Sequence, residues 1–494
     1  MSNPPLSNQP QQPMPESSPP RNSEDDTPDI QLFKSQKRIF PKQVDGFFRK
    51  LKWVVMVVTL GIYYFVPFIR WDRGLNAPDQ AVLIDLENKR AYWFFIEIWP
   101  QEIYLLTGIL VLAAIALFFV TSMFGRVWCG YFCFQTVWTD LFIWVERLVQ
   151  GDRYARQKLH EQKWNLEKLA KMVATHFLWL AISFCTGGAF VLYFNDAPTL
   201  IQHALEFDVS TSIATVVLGL TFSTYLMAGF AREQVCTYMC PYARFQAAMF
   251  DENTLIIGYD MRRGEPRGKH KKGDEWKDKG HCIDCTACVQ VCPMGIDIRD
   301  GLQMECIACG LCIDACDNIM DRLSLPHGLI RYDTARHIKE ASEGVKAGFH
   351  ILRARTLYYA AIMALVGGVM LYALVSRAPF ELHVLHDRNP LFVQLSDGTV
   401  RNGYEIKILN KTHDDKVFKL QFSGLERYEI AIKTAGEVSA DRLEVGADNV
   451  GSYHVFVSSK LTQGAPRDIV FTLTDSKTGD VDTYESVFMS RRGE

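Results

Sequence analysis

Eight cysteines between Cys282 and Cys316 are spaced C-x2-C-x2-C-x3-C, and then the same spacing recurs. Three thiols at x2 spacing let a tight loop wrap one corner of an iron–sulfur cube. The fourth, at x3, reaches the neighbouring cube of a two-cluster unit. One 4Fe–4S cluster is therefore expected on Cys282, Cys285, Cys288 and Cys316, and a second on Cys306, Cys309, Cys312 and Cys292. Pro293 follows the first run as this turn favours, whereas Asp317 stands at the matching place in the second. Zinc ribbons use paired C-x2-C knuckles and have no need of triple runs, so zinc is the poorer fit. A cluster that only holds the fold is the other alternative. The count takes both clusters to be held within one chain, and the sequence names no oligomeric state.

Four further cysteines form two C-x3-C pairs, Cys129/Cys133 in RVWCGYFC and Cys236/Cys240 in REQVCTYMCP. Within a helical turn such a pair would place both thiols on one face. Soft thiolates favour Cu(I), and the same thiols could cycle between dithiol and disulfide or be inert packing. Met239 and Met249 are candidate extra soft ligands, with packing the commoner role. Cys185 reads as a small apolar filler. His176 has no partner histidine on another apolar run, which argues against a bis-histidine haem, and a metal site on His383 and His386 is weakly signalled. His203 lies with them on the outer side.

These residues must be positioned by a membrane bundle. Apolar runs at about 51–69, 103–123, 172–194, 211–230 and 357–376 each approach the roughly 20 residues that cross a bilayer. The run 131–145, interrupted by Gln135 and Asp140, reads as an interfacial or re-entrant segment against the bundle, with a membrane span as the weaker option. Lys and Arg crowd the segments before the first run, at 124–171 and at 231–356. The 195–210 loop has none. By the positive-inside rule the N-terminus and all the cysteine motifs are cytoplasmic, and 377–494 is on the outer side. Both C-x3-C pairs then emerge at one membrane surface.

Residues 1–35, rich in Pro, Gln, Ser and Asn, read as a disordered tail. They have no apolar core of a secretory signal. The expected organisation continues with a bundle over 36–256 carrying four spans. A two-cluster ferredoxin-like α+β insert follows over 257–356, then the fifth span at 357–376. Over 377–494, period-two runs such as FELHVLHD, YEIKILNKT, VFKLQFSGL, YHVFVSSKL and DIVFTLTD predict an immunoglobulin-like β-sandwich. All 13 cysteines lie between Cys129 and Cys316, which is no secreted disulfide framework. The net charge of −3 gives no pointer to nucleic acid. The basic run Arg262–Lys279 reads as a solvated linker, with lipid headgroups or an acidic donor as the alternative contacts.

Together, CGYFC after the second run, REQVCTYMCPYARFQ after the fourth, the two-cluster segment and the cysteine-free β-domain resemble the CcoG/FixG/RdxA family, over nearly the whole chain. The resemblance implies a bacterial inner-membrane protein with a periplasmic C-terminal domain that assists assembly of cbb-type cytochrome c oxidase. It implies a cupric reductase activity, Cu(II) to Cu(I), with Cys129, Cys133, Cys236 and Cys240 as the reactive thiols and copper as substrate or transient ligand. Implied partners are the oxidase assembly machinery, copper carriers and a cytosolic electron donor. Phe134 stands where the family's first motif usually has proline. The architecture also resembles membrane ferredoxins of nitrate-reductase systems, so a quinol-linked electron-transfer subunit is an alternative. A non-catalytic assembly scaffold is another.

Overall fold

The computed structural model describes residues 38–74, 77–270, 279–342, 353–425, 427–433, 439–460 and 466–490. The tail expected at 1–35 lies outside the described residues, as does 271–278 of the basic run. The described residues from Phe40 onward pack as one compact unit.

Five helices among the described residues are long and apolar enough to cross a membrane: Phe47–Phe68, Pro100–Phe124, Leu166–Val191, Thr211–Met239 and Ala354–Val375. Their regular cores are α1 (Phe47–Phe65) and α2 (Ile103–Phe124). After α2 come two shorter helices, α3 (Val127–Tyr131) and α4 (Phe134–Gln150). The third span is α5 (Leu166–Val191), and the fourth begins as α6 (Thr211–Leu226). The fourth span outruns its expected end near 230, because the helix continues through π-helical turns at Met227–Ala231 and Val235–Met239.

Small residues let these helices approach, as they do where lipid gives no hydrophobic drive to packing. Gly187 of α5 lies against the Val217 carbonyl of α6. α4 lies against the bundle as the polar interruptions at Gln135 and Asp140 suggest. Phe142 stacks on Trp179 of α5 with centroids 5.2 Å apart, and Trp138 Nε1 donates to Thr186 Oγ1 at 2.8 Å. Asp140 is buried and accepts two 2.9 Å bonds from Arg49.

A three-stranded antiparallel sheet fills the link between the first two spans: β1 (Val82–Asp85), β2 (Arg90–Trp93) and β3 (Ile96–Ile98). After α7 (Pro241–Met249), the cysteine-rich segment is closed off by β4 (Leu255–Tyr259) paired with β5 (Ile330–Thr334). Between those strands lie α8 (Ala287–Val291) and α9 (Leu311–Arg322). Asp314 of α9 accepts the Arg49 and Phe48 amides at 2.7 and 3.2 Å. These are N–H groups of the first turn of α1, which no carbonyl within that helix can satisfy. The cysteine-rich unit is thereby fastened to the first span.

After α10 (Ala354–Val375), two antiparallel sheets make the sandwich. One is ordered β10 (Glu429–Lys433), β12 (Asn449–Ser459), β8 (Val400–Asn410), β6 (Phe380–His386), with β7 (Val393–Gln394) also on β8. The other is β11 (Leu443–Val445), β9 (Lys416–Ser423), β13 (Arg467–Asp475), β14 (Val481–Phe488). Alternating inward residues such as Ile406, Ile408, Phe418, Val455 and Phe471 form its core. β7, β10, β11 and β14 are additions to the five strands read from sequence: β7 and β11 are too short for a period-two signal.

Candidate metal and electron-transfer site

The two loops carrying the x2-spaced cysteines bend alike. Asp284 and Thr286 have φ of 55° and 56°; Ala308 and Gly310, at the matching places, have 50° and 75°. Left-handed residues in such loops turn peptide N–H groups into a concavity that suits anionic iron–sulfur centres. Each loop faces a small cavity. Cys282, Cys285, Cys288 and Cys316 line one; Cys292, Cys306, Cys309 and Cys312 line the other. The structure thus brings the eight thiols together in the crossed grouping. Cys288 reaches both walls, so the cavities adjoin.

The residues fit a 4Fe–4S cube at each place: four thiols, an otherwise mostly apolar wall and no lining carboxylate. Arg299, buried on the first wall, holds Asp297 and Asp284 outside it at 2.6 and 2.5 Å. Burial pushes the Cys292 thiol up to about 11 and those of Cys288, Cys306 and Cys316 to about 12. Such thiols become thiolates when a metal takes the proton's place.

The C-x3-C pairs share one local plan, and it differs from the single helical turn expected. Cys129 sits in α3, but Cys133 is extended (φ −61°, ψ 126°) and caps α4. Cys236 sits in the π-helical end of the fourth span, and Cys240 is extended (φ −79°, ψ 110°) ahead of α7. Pro241 disfavours a helical Cys240, and an N-cap residue such as Cys133 stands outside the helix it starts. The two pairs still lie near each other, although no three of their thiols come within 4.8 Å of one another. Cys129 and Cys236 pack on the same buried cluster as Cys309 and Cys292, with Met294 and Ile307 between the elements. Cys236 is within electrostatic reach of Cys133, Cys129 and Cys240.

Neighbours on both sides hold this arrangement. Cys129 Sγ donates to Gln246 Oε1 of α7 at 3.3 Å. Burial, then Cys133, pushes the Cys129 thiol up to about 11, against the Gln246 bond and the Arg126 charge. Arg126 donates to the carbonyls of Met304 and Ala243, tying the first pair to the cysteine loop and to α7. Tyr131 donates to the Cys309 carbonyl at 3.0 Å. Gly130 lies so close to that loop that a Cβ would stand 2.6 Å from the Ile307 carbonyl oxygen. Behind the second pair, Arg232 takes φ of 32° and its guanidinium meets buried Glu146 at 2.6 Å. Glu146 also holds Arg156. Gly130, Tyr131, Gln246 and Glu146 did not stand out in the sequence as site residues, although the first three fall inside the motifs CGYFC and CTYMCPYARFQ.

The remaining candidates lie elsewhere. Met239 is exposed, and Met249 is buried as packing. Cys185 faces out of α5 rather than filling a core, because it falls on the outward side of that helix. His176 Nδ1 bonds Tyr225 OH at 2.9 Å. His383 faces Glu381, whereas His386 bonds Asn402, so the two share no site. His203 lies 3.6 Å from Asp208.

A lipid-spanning bundle joined to a 4Fe–4S dicluster unit defines a multi-pass, membrane-associated electron-transfer protein of the oxidoreductase type. Family models described as "4Fe-4S dicluster domain", "4Fe-4S binding domain" and "IG-like fold at C-terminal of FixG" match residues 231–335, 106–152 and 370–491. The nitrogen fixation protein FixG of Rhizobium meliloti is 46% identical over 491 residues, covering 92% of this chain and 93% of that protein. Protein RdxB of Cereibacter sphaeroides is 46% identical over 474 residues, 94% of this chain and 99% of the relative. A crystal structure of a FixG-related protein from Vibrio parahaemolyticus covers 23% of this chain and 99% of its own, at 25% identity and a TM-score of 0.21. The chain belongs to the FixG/RdxA family.

Proposed function

We propose that the protein is a membrane-bound cupric reductase, with Cu(II) as substrate and Cu(I) as product, serving assembly of a cbb-type oxidase. The observation that carries this reading is the shared core: Cys129, Cys236 and Cys292 all pack on the buried cluster that contains Cys309. Cys282, Cys285, Cys288 and Cys316 would hold one 4Fe–4S cluster, and Cys306, Cys309, Cys312 and Cys292 the other. Bound there, the clusters supply one-electron transfer, which matches the copper couple. Cys129, Cys133, Cys236 and Cys240 take the copper; sulfur ligation favours Cu(I), so capture and reduction reinforce each other. Gln246 accepts the Cys129 proton's hydrogen bond, and Arg126 supplies positive charge beside the thiolates that form.

The cysteine end of the bundle faces the cytoplasm in this reading, as its Lys and Arg require. The membrane is then the bacterial inner membrane, and the sandwich is periplasmic. A cytosolic donor and the oxidase's copper carriers are the partners. The test is Cys236→Ala with Cys240→Ala in the full chain. Cu(II) reduction should vanish while the cluster absorbance stays, and undiminished reduction would remove copper from these thiols.

A second reading, quinol-linked electron transfer, draws on a cavity of about 360 Å³ in the bundle lined by Tyr63, Phe134, Gln135, Trp138, Thr186 and Met227. Phe134 joins it directly to Cys133. Reduction of the clusters by a quinol analogue without copper would favour this reading over the first.

A further inference from the structure

At the end of the bundle away from the thiols, Glu97 of β3, His413 of the β8–β9 turn and Asp448 ahead of β12 meet. One ligand atom from each lies within 4.8 Å of the others. His413 Nε2 is 3.7 Å from Glu97 Oε1, and its Nδ1 is 3.2 Å from Asp448 Oδ2. The Glu97 and Asp448 side chains are 9% and 1% exposed. Neither Glu97 oxygen accepts a bond from any N–H or hydroxyl donor, nor does Asp448 Oδ1, and the two carboxyl groups lie within hydrogen-bonding reach of one another. Buried acceptors left like this are costly, and two carboxylates pressed together repel unless a proton or a cation stands between them.

The charge of Arg73 is felt by Glu97, but Arg73 does not hydrogen-bond to either carboxylate. Its guanidinium is spent on the backbone carbonyls of Phe94, Pro78, Gln80 and Ala81. Other groups place the three ligands without neutralising them. Arg90 donates to the Asp448 carbonyl at 3.0 Å and lies 3.8 Å over the Trp99 ring. The Asp448 amide donates to the Thr412 carbonyl at 2.9 Å, holding the His413 turn against the Asp448 loop.

We propose that Glu97, His413 and Asp448 form a binding site for a divalent first-row cation such as Mn²⁺ or Zn²⁺, which clamps the β-sandwich to the small sheet between the first two spans. One imidazole and two carboxylates are a borderline-to-hard donor set, unlike the soft thiols at the other end. The ligand atoms need to close by an ångström or so to meet metal–ligand distances of roughly 2.0–2.2 Å. His413, half exposed, provides both the way in and a wall where water completes the shell.

Mn²⁺ is the probe, because it disfavours the thiols that Zn²⁺ would also occupy. The full chain, purified with its clusters, is titrated with Mn²⁺ into the millimolar range, and free ion is read by EPR. The expected result is one bound Mn²⁺ per chain, displaced by Zn²⁺ and weakened at least tenfold in both Glu97→Gln and His413→Ala. Because His413 is half exposed, H413A tests the site even if E97Q fails to fold. Absence of bound Mn²⁺, or undiminished binding in H413A, overturns the proposal. The first of those outcomes leaves a shared proton as the neutralising group.

Discussion

The two cysteine cavities share a backbone turn and differ in what surrounds them. The first, around Cys282, Cys285, Cys288 and Cys316, is walled by its own unit, and Cys285 is exposed. The second, around Cys292, Cys306, Cys309 and Cys312, is built against the membrane part: Gly130 and Tyr131 press on its loop, and Phe48 covers Gly310. Sequence spacing makes the loops equivalent; packing leaves the first partly exposed and sets the second against the elements that carry the thiol pairs. In the reading proposed above, the first would take electrons from the donor and the second would pass them on.

Breaking the second cavity should therefore cost most. Cys309→Ala is expected to lower Cu(II) reduction at least a hundredfold and remove one cluster signal from the EPR spectrum. Next, Glu146→Ala leaves two buried guanidinium groups without their carboxylate behind Cys236. It should destabilise the protein by about 3–5 kcal/mol, read by thermal unfolding in detergent. Gly130→Ala drives a Cβ into the Ile307 carbonyl and is expected to cost about 1–3 kcal/mol and to disturb the second cluster's signal before the first's.

A matched swap sharpens the comparison further. Gly310→Thr meets both a left-handed backbone and the Phe48 ring, and should impair cluster incorporation. Thr286→Gly, at the equivalent place in the first loop, should change stability by less than about 1 kcal/mol, since relief of the left-handed Thr offsets lost side-chain bonds. The smallest effect concerns Cys129 in copper-free protein. With its thiol pushed up to about 11, its alkylation should be slow at pH 8 and accelerate steadily as the pH rises toward that value. Rapid, pH-independent alkylation near neutrality would mean an exposed, ionised thiol.

Much of this was legible in the sequence. The crossed cysteine sets follow from spacing alone, because a loop of that size has few ways to present three thiols. The five spans follow from hydropathy. The fourth span's ending was not legible: π-helical turns have no hydropathy signature, and Gln135 bonding the Met227 and Arg232 carbonyls is a tertiary effect. Nor was the C-x3-C geometry, where Pro241 outweighed helical periodicity. In sequence Glu146 is one more acid on a helix, with Arg147 beside it. Its burial between Arg156 and Arg232 depends on elements 10 and 86 residues away. The cluster of Glu97, His413 and Asp448 is assembled from residues up to 351 apart, beyond any local pattern.

Reducing equivalents held by the dicluster unit are proposed to reach copper at the membrane-edge thiols. Anaerobic mixing of dithionite-reduced, desalted protein with Cu(II), following cluster EPR and Cu(I) formation together, tests this directly. In the wild type the clusters should oxidise as Cu(I) appears, one for one, and both changes should be lost in Cys236→Ala/Cys240→Ala. Equal rates of cluster oxidation and Cu(I) formation in that variant would contradict it.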